Sequence, residues 1–479
     1  MHPRFFRSLG LAAAVVAGVT LSCRAATLPP GVTEIDVTND RTHIWGEPEV
    51  AINPKNTNNL VYAVLGNGYT KPCQEKATKD PNSGCSIVKT AFGPLPLGLM
   101  DNRSNFTHAS VYVSFDRGKT WKRISDIPGR IPLFPSAIQG PGVSADPMIA
   151  AGPDGTFYLA WDASHMVNRP DAFSDYGGIA TSKSTDGGRT WSKPVFTGTA
   201  VDRPFLQVDQ STGVIYEAST GPVPGPWASG NPNTPPGTND RHLTSSKDGV
   251  HWTTPQPFGG GALHIACARG ALAAAFKTND KNSNLCGNAP APCMIFQTTK
   301  NAGATWERHV MPISVPSDAR PRVMVAADPD KAGHFAVALL ADADTKIAVY
   351  QTQDAGNTWS APAMVTDDAN KTHFHAWMAY SPKGVLGLMW KSRNAPPGGP
   401  TAAPINVFAA ISRDGGSTFN QPLRVNGEEN AAPDPDPHAT GGDDFSYLAM
   451  GMDELFVTYA TTGDRVGMLA DVKFSAFGH

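Results

Sequence analysis

The chain has 479 residues and a net charge of −3, with 40% apolar and only 17% charged residues. Gly (47) and Pro (42) together make close to a fifth of it, so no long uninterrupted helical segment survives, which excludes a helical bundle or coiled coil. There is no basic surplus to neutralise phosphates, which excludes a dedicated nucleic-acid binder, and the composition suits many short strands joined by turns.

The first element is an address. Arg4 and Arg7 precede an apolar run over 9–21, and small residues follow at Cys23, Ala25 and Ala26. This is the pattern of a secretory signal peptide over 1–26, cleaved after Ala25 or Ala26. The run is too short for a comfortable membrane span, and no later segment approaches the ~20 apolar residues that one needs. The expectation is a secreted or periplasmic protein with no transmembrane segment. The alternative, lipidation at Cys23, has Thr20 where a lipoprotein cleavage box carries Leu. An oxidising compartment permits disulfides, and Cys73 with Cys85 and Cys286 with Cys293 are local pairs in Gly/Pro/Asn-rich loops. Cys267, in the apolar run 265–268, is expected to be a buried free thiol. The loops 68–108, 222–240 and 277–293 read as rim segments or insertions.

Residues 27–479 read as one domain organised by repeats. One element is a short apolar strand, a turn and a second apolar strand. It begins near Glu47, Asp146, Asp202, His264, Arg320, His375 and Phe445, giving seven copies. The other is a box, present at 114–121 (SFDRGKTW), 184–191 (STDGGRTW), 246–252 (SKDGVHW), 299–306 (TKNAGATW), 352–359 (TQDAGNTW) and 412–419 (SRDGGSTF). Its third residues are spaced by 70, 62, 53, 53 and 60. In each box Ser/Thr and Asp can bond the backbone of their own turn, Gly supplies a positive φ, and Trp anchors the hairpin on its neighbours.

These boxes resemble the Asp-box, or bacterial neuraminidase, repeats of sialidases and other β-propellers. The resemblance implies an all-β propeller of four-stranded antiparallel blades. Seven copies imply seven blades, with six as the runner-up. The last blade has only three strands before the chain ends, so 33–38 is expected to pair with 466–474 and close the ring.

In such a ring the starts of the inner strands converge on one mouth of the channel. The polar residues there are Glu47, Asp146, Asp202, Arg203, His264, Arg320, Arg322, His373, His375, Asp443 and Asp444. So many polar groups at one mouth point to a glycan or other polar ligand. Asp146 with Asp202 or Asp444 would suit acid–base hydrolysis of a glycoside. His264, His373 or His375 would suit proton abstraction beside a uronate carboxylate, as in a polysaccharide lyase. Arg203, Arg320 and Arg322 would clamp a carboxylate, and Glu47 and His373 would contact the substrate. The sialidase resemblance implies three arginines, a Tyr nucleophile paired with a Glu, and an Asp acid/base. Here the nucleophile's position holds Phe445, its paired Glu would fall near Ala460, and the arginine motif's only analogue, 129–132 (GRIP), follows the first box. The expectation is therefore an exported sialidase-like glycosidase or lyase acting on an acidic glycan, with a non-catalytic glycan- or protein-binding propeller as the alternative. A monomer without a cofactor is expected; a structural calcium at 434–438 with Asp443 and Asp444 is a further possibility.

Overall fold

The computed structural model describes residues 27–40, 43–69, 79, 87–90, 93–96, 107–126, 142–165, 176–199, 204–220, 240–260, 264–278, 284–313, 322–341, 345–400, 403–427, 446–461 and 466–478. Seven four-stranded antiparallel sheets hold more than half of them, and turns and loops join the strands. Blade 1 is built from His43–Ile52, Leu60–Tyr69, Thr107–Ser114 and Lys122–Asp126, with a small ribbon of Ile87–Thr90 and Gly93–Pro96 between its second and third strands. Blade 2 runs from Gly142–Ala151 to Val195–Phe196 and blade 3 from Phe205–Val208 to Gln256–Gly260. Blade 4 runs from Ile265–Ala268 to Glu307–Val310, blade 5 from Arg322–Ala327 to Ala363–Asp367, and blade 6 from Thr372–Tyr380 to Leu423–Arg424. The first strand of each blade touches the first strand of the next, and blade 7 returns to blade 1. This is a closed seven-bladed β-propeller, as the seven repeats imply.

Blade 7 takes three strands from the C-terminal part of the chain, Leu448–Met450, Glu454–Ala460 and Gly467–Lys473, and its outermost strand, Val32–Asp36, from the other end. Val32 faces Val472 and Asp36 faces Met468, so the closure expected from the missing fourth strand is present. Apolar side chains fill the wedges between blades. Trp45, Trp161, Trp390, Tyr62 and Tyr459 are among the largest fully buried groups. Cys286 and Cys293 form a disulfide that staples the loop before the third strand of blade 4; Cys73 and Cys85 lie outside the described residues.

All six boxes join the third and fourth strands of blades 1–6. In the first, Ser114 Oγ accepts from Gly118 N at 2.8 Å, and Asp116 Oδ1 accepts from Thr120 N at 2.9 Å. Trp121 Nε1 then donates to Gly118 O at 2.8 Å. All three bonds recur in blades 2 and 5, and the first two in blade 6, where Phe419 stands in place of Trp and has no N–H to donate. Box glycines cannot be replaced freely. Gly188 has φ +89°, and a Cβ there would stand 2.7 Å from both Val113 and Val61 of the preceding blade. The boxes therefore also lock blade to blade.

Box aspartates sit low in pKa. Burial raises the Asp414 carboxyl, but hydrogen bonds from Ser412, Thr418 and Ser417 outweigh it and bring it down to about 2. Bonds from the Thr358 hydroxyl and amide hold Asp354 below the usual range. A depressed folded-state pKa gives stability that is present above the unfolded value near 4 and is lost as pH falls through the folded one. The melting temperature is expected to fall between about pH 4 and pH 2. Asp414→Asn should remove part of that fall, as read by circular dichroism melts across the range.

Candidate active site at the channel mouth

The innermost strands of blades 1, 2 and 6 carry the same irregularity. Their pairing with the second strand breaks between Gly46 and Glu49, between Ala145 and Met148, and between Phe374 and Trp377. Each break is a β-bulge, and each contains a non-glycine residue of positive φ: Glu47 (+52°), Asp146 (+48°) and His375 (+48°). L-residues hold this conformation at a cost of about 1–3 kcal/mol. In two cases a proline follows, whose ring pushes its predecessor toward extended backbone. Surrounding structure has to hold such a bulge in place. At the first one the Thr458 hydroxyl of blade 7 bonds the Pro48 carbonyl. Three acid–base side chains thus leave the strands at one level, on neighbouring or near-neighbouring blades. Glu47 and His375 are buried and Asp146 is half-buried.

Beneath this level, side chains from opposite sides of the ring meet across the axis. Phe205 of blade 3 and Trp377 of blade 6 stack at 6.2 Å with planes 13° apart, and His264 of blade 4 lies 4.8 Å from one and 4.7 Å from the other. Tyr447, at the start of blade 7, meets Trp377 edge-on at 4.3 Å, and its hydroxyl donates to Met148 Sδ at 2.7 Å. Glu49 completes the floor, accepting from Ile149 N and standing within hydrogen-bonding reach of the Tyr447 hydroxyl. Burial drives the Glu49 carboxyl well above its ordinary range. Burial likewise raises the Tyr447 phenol, helped by the negative charges of Glu49, Glu47 and Asp146. Both groups are thus pushed towards their neutral forms, with two further acidic side chains close enough to act on Tyr447.

Behind Phe205, blade 3 buries Glu217 and Arg241. The Arg241 guanidinium lies over the Phe205 ring at 5.6 Å, and Thr199 Oγ1 donates to Glu217 Oε2 at 2.6 Å. Burial raises the Glu217 carboxyl to about 7, against the hydrogen bonds of Thr199, Thr197 and Ser219 and the charge of Arg241. Below the floor, a channel of about 690 Å³ follows the axis to the opposite face of the ring.

Of the residues proposed on sequence, Glu47, Asp146 and His375 stand at equivalent bulges of three inner strands, Glu47 and Asp146 act electrostatically on Tyr447, and His264 lies against Phe205 and Trp377. The structure puts His373 elsewhere: that ring is buried, bonded through Nδ1 to Ser392 Oγ at 2.7 Å, and brought down to about 4 by burial. Arg322 opens the innermost strand of blade 5. Asp202, Arg203, Arg320, Asp443, Asp444 and the calcium segment at 434–438 lie outside the described residues, as does Phe445. Among the described residues no group of three or more His, Cys, Asp or Glu side chains could hold a metal ion. Sequence reasoning passed over Glu49, Tyr447, Trp377, Glu217 and Arg241. The first and third stand two residues after Glu47 and His375, where strand alternation would put them on the same face, so a signal for them was there.

The BNR/Asp-box repeat family matches residues 112–123, the first box. With six boxes at equivalent turns of a closed ring, the fold family is decided. The chain is an Asp-box β-propeller. No curated protein matches it in sequence. Among solved structures, the propeller is similar to a Hadza microbial sialidase at 17% identity, covering 79% of this chain and 75% of that one, with a TM-score of 0.44. It is similar to a Dyadobacter fermentans protein of unknown function at 14% identity, covering 93% and 100%, with a TM-score of 0.46. It is also similar to the Trypanosoma rangeli sialidase at 13% identity, with a TM-score of 0.40, covering 94% of this chain and 59% of that one. Nothing about activity follows from likenesses of this size. No helix among the described residues is long and apolar enough to cross a membrane.

Proposed function

We propose that this propeller is an exported, sialidase-like enzyme that cleaves a glycosidic bond in an acidic glycan at the bulged face of the ring. The observation that carries the reading is the shared left-handed bulge at Glu47, Asp146 and His375. Backbone strain repeated at three acid–base residues around one axis serves positioning better than it serves stability. Two carboxyl groups there suit the general acid and base of hydrolysis. His375 would instead abstract the proton in an elimination. The half-buried Trp377 and His264 rings offer the apolar face on which a sugar ring stacks. The arginines that the sequence sets at the strand starts of blades 3 and 5 would take a substrate carboxylate. Export is supported by the signal-like segment 1–26 and by the Cys286–Cys293 disulfide.

The resemblance to sialidases implied a tyrosine paired with a glutamate, and Tyr447 against Glu49 is such a pair. Burial pushes both towards the neutral form, however, which disfavours attack by Tyr447. The closed aromatic floor favours a second reading, a glycan-binding propeller without turnover. A screen of acidic and neutral glycans with two readouts separates the readings. New reducing ends report hydrolysis, and absorbance of an unsaturated uronate reports elimination. Binding by calorimetry with neither signal would sink the enzymatic reading.

A further inference from the structure

The channel below the floor is separate from the mouth. Its walls are the seven innermost strands, and it ends at Glu49, Met148, His264, Trp377 and Tyr447. At the other end it meets the turns between first and second strands, with Thr57, Gln210, Arg269 and Asp330 at the rim. These turns share a face with the boxes: Asn59 Nδ2 donates to Gly187 O at 3.0 Å and Arg117 N donates to Asn58 O at 2.9 Å. The five residue steps from Glu49 to Pro54 span roughly 16 Å of strand, so a cavity of about 690 Å³ is elongated along the axis. That shape suits an alkyl chain or a single planar ring.

The chemistry along the bore is graded. Its middle is mostly apolar, set by the partly exposed Ile52, Ala150, Cys267, Ala327, Ala379 and Ala449, with Gln207 among them. The floor offers hydrogen-bonding groups in Tyr447, His264 and Glu49, and the rim sets one cation, Arg269, against one anion, Asp330. Arg269 is itself fixed by a left-handed turn (φ +53°) and by its Nη1 bond to Pro329 O at 3.4 Å. Among the described lining residues Arg269 is the one Lys or Arg, and it shares its rim with the Asp330 carboxyl, so an anionic ligand gains little there. A pocket of this volume, with apolar walls and a few polar groups at its end, is the size of a small-molecule site.

We propose that the channel is a second binding site, entered from the box face, for an uncharged, slender molecule with one hydroxyl end, such as an alkylphenol or a medium-chain alcohol. The hydroxyl end meets the floor at Tyr447, His264 and Glu49, and the apolar body lies along the bore. The site lies on the other side of the floor from the glycan site proposed above, shares the floor residues His264 and Trp377 with it, and is tested without reference to it.

Cys267 supplies the reporter. It is a free thiol, half-buried rather than fully buried as expected from its apolar run, and it lines the channel. Burial, and then the charge of Asp209, hold its thiol well above the usual range, so labelling is done in alkaline buffer. The probe is 4-butylphenol, measured by calorimetry and by its effect on methyl methanethiosulfonate labelling of Cys267, read on the peptide by mass. Expected results are one binding site per chain and Cys267 labelling slowed by about tenfold or more at saturation. Sodium octanoate should bind at least roughly tenfold more weakly than 1-octanol. Ala327→Phe, at a partly exposed channel residue, should abolish binding. The parent protein with Cys267 blocked by N-phenylmaleimide should also lose it, which tests occupancy without a substitution that risks the fold. Absence of heat and of protection in the parent overturns the proposal. So does undiminished binding in the plugged forms, or octanoate binding as tightly as octanol.

Discussion

Val37→Asp is expected to be the most destabilising single change in the ring, at about 3–5 kcal/mol for an unpaired buried charge. Val37 follows the Val32–Asp36 strand and is 3% exposed. It packs with Trp45, Tyr62 and Tyr112 of blade 1 and with Phe456 and Leu469 of blade 7. Its amide donates to Gly467 O at 3.0 Å, and Lys473 N donates to Gly31 O at 2.9 Å at the far end of the same pairing. Glu34 adds a cross-tie, accepting from the Tyr459 hydroxyl and, at 3.3 Å, from Gly427 N of the neighbouring blade. A chain lacking residues 27–38 should also expose the edge of Gly467–Lys473 and associate with concentration, since an unpaired edge templates further pairing. Urea titrations and size-exclusion chromatography check both. A Val37→Asp midpoint equal to the parent's would mean that the terminal strand is an ornament and that blade 7 holds with three strands.

The ring was legible because each box residue has a mechanical duty visible in its chemistry. Ser114 and Asp116 bond the turn, Gly118 allows it, and Trp121 anchors it, so the letters repeat wherever the turn repeats. Asn301 replaces the aspartate in blade 4 and still accepts from Thr305 N at 2.9 Å. That is why the pattern survives the substitution. The site was legible only to the level of strand starts. Bulges at Glu47, Asp146 and His375 cannot be read from residue type, since none is the glycine that a positive φ usually selects. Contacts such as Phe205 on Trp377 join residues more than 170 positions apart and exist only once the ring has closed. His373 shows the converse. Its place two residues before His375 suggested the mouth, whereas the strand turns it onto Ser392 in its own blade.

Glycine substitution at the bulges separates a functional strain from a structural tie. His375 is buried, with its ring 5.2 Å edge-on from Phe374. If its task were to hold the fold, His375→Gly would remove packing from a buried position and cost a couple of kcal/mol, like other losses of buried contacts. If the strand tolerates a strained residue for the sake of its side chain, glycine relieves the left-handed backbone. That relief is worth about 1–2 kcal/mol, against which glycine loses roughly 0.5–1 kcal/mol of extra chain entropy. The expected result is therefore a melting temperature equal to or above the parent's for His375→Gly, and likewise for Glu47→Gly. On the glycan that registers in the screen, Asp146→Asn and Glu47→Gln should lower turnover by about 10²–10⁴-fold, the usual contribution of a positioned acid or base. KM should change far less, because the amides keep the shape and polarity of the carboxyl groups. The combination of unchanged or raised stability with lost turnover identifies residues held in strain for chemistry. Full turnover in both amide variants would remove the carboxyl pair from the mechanism and leave His375 as the base to test.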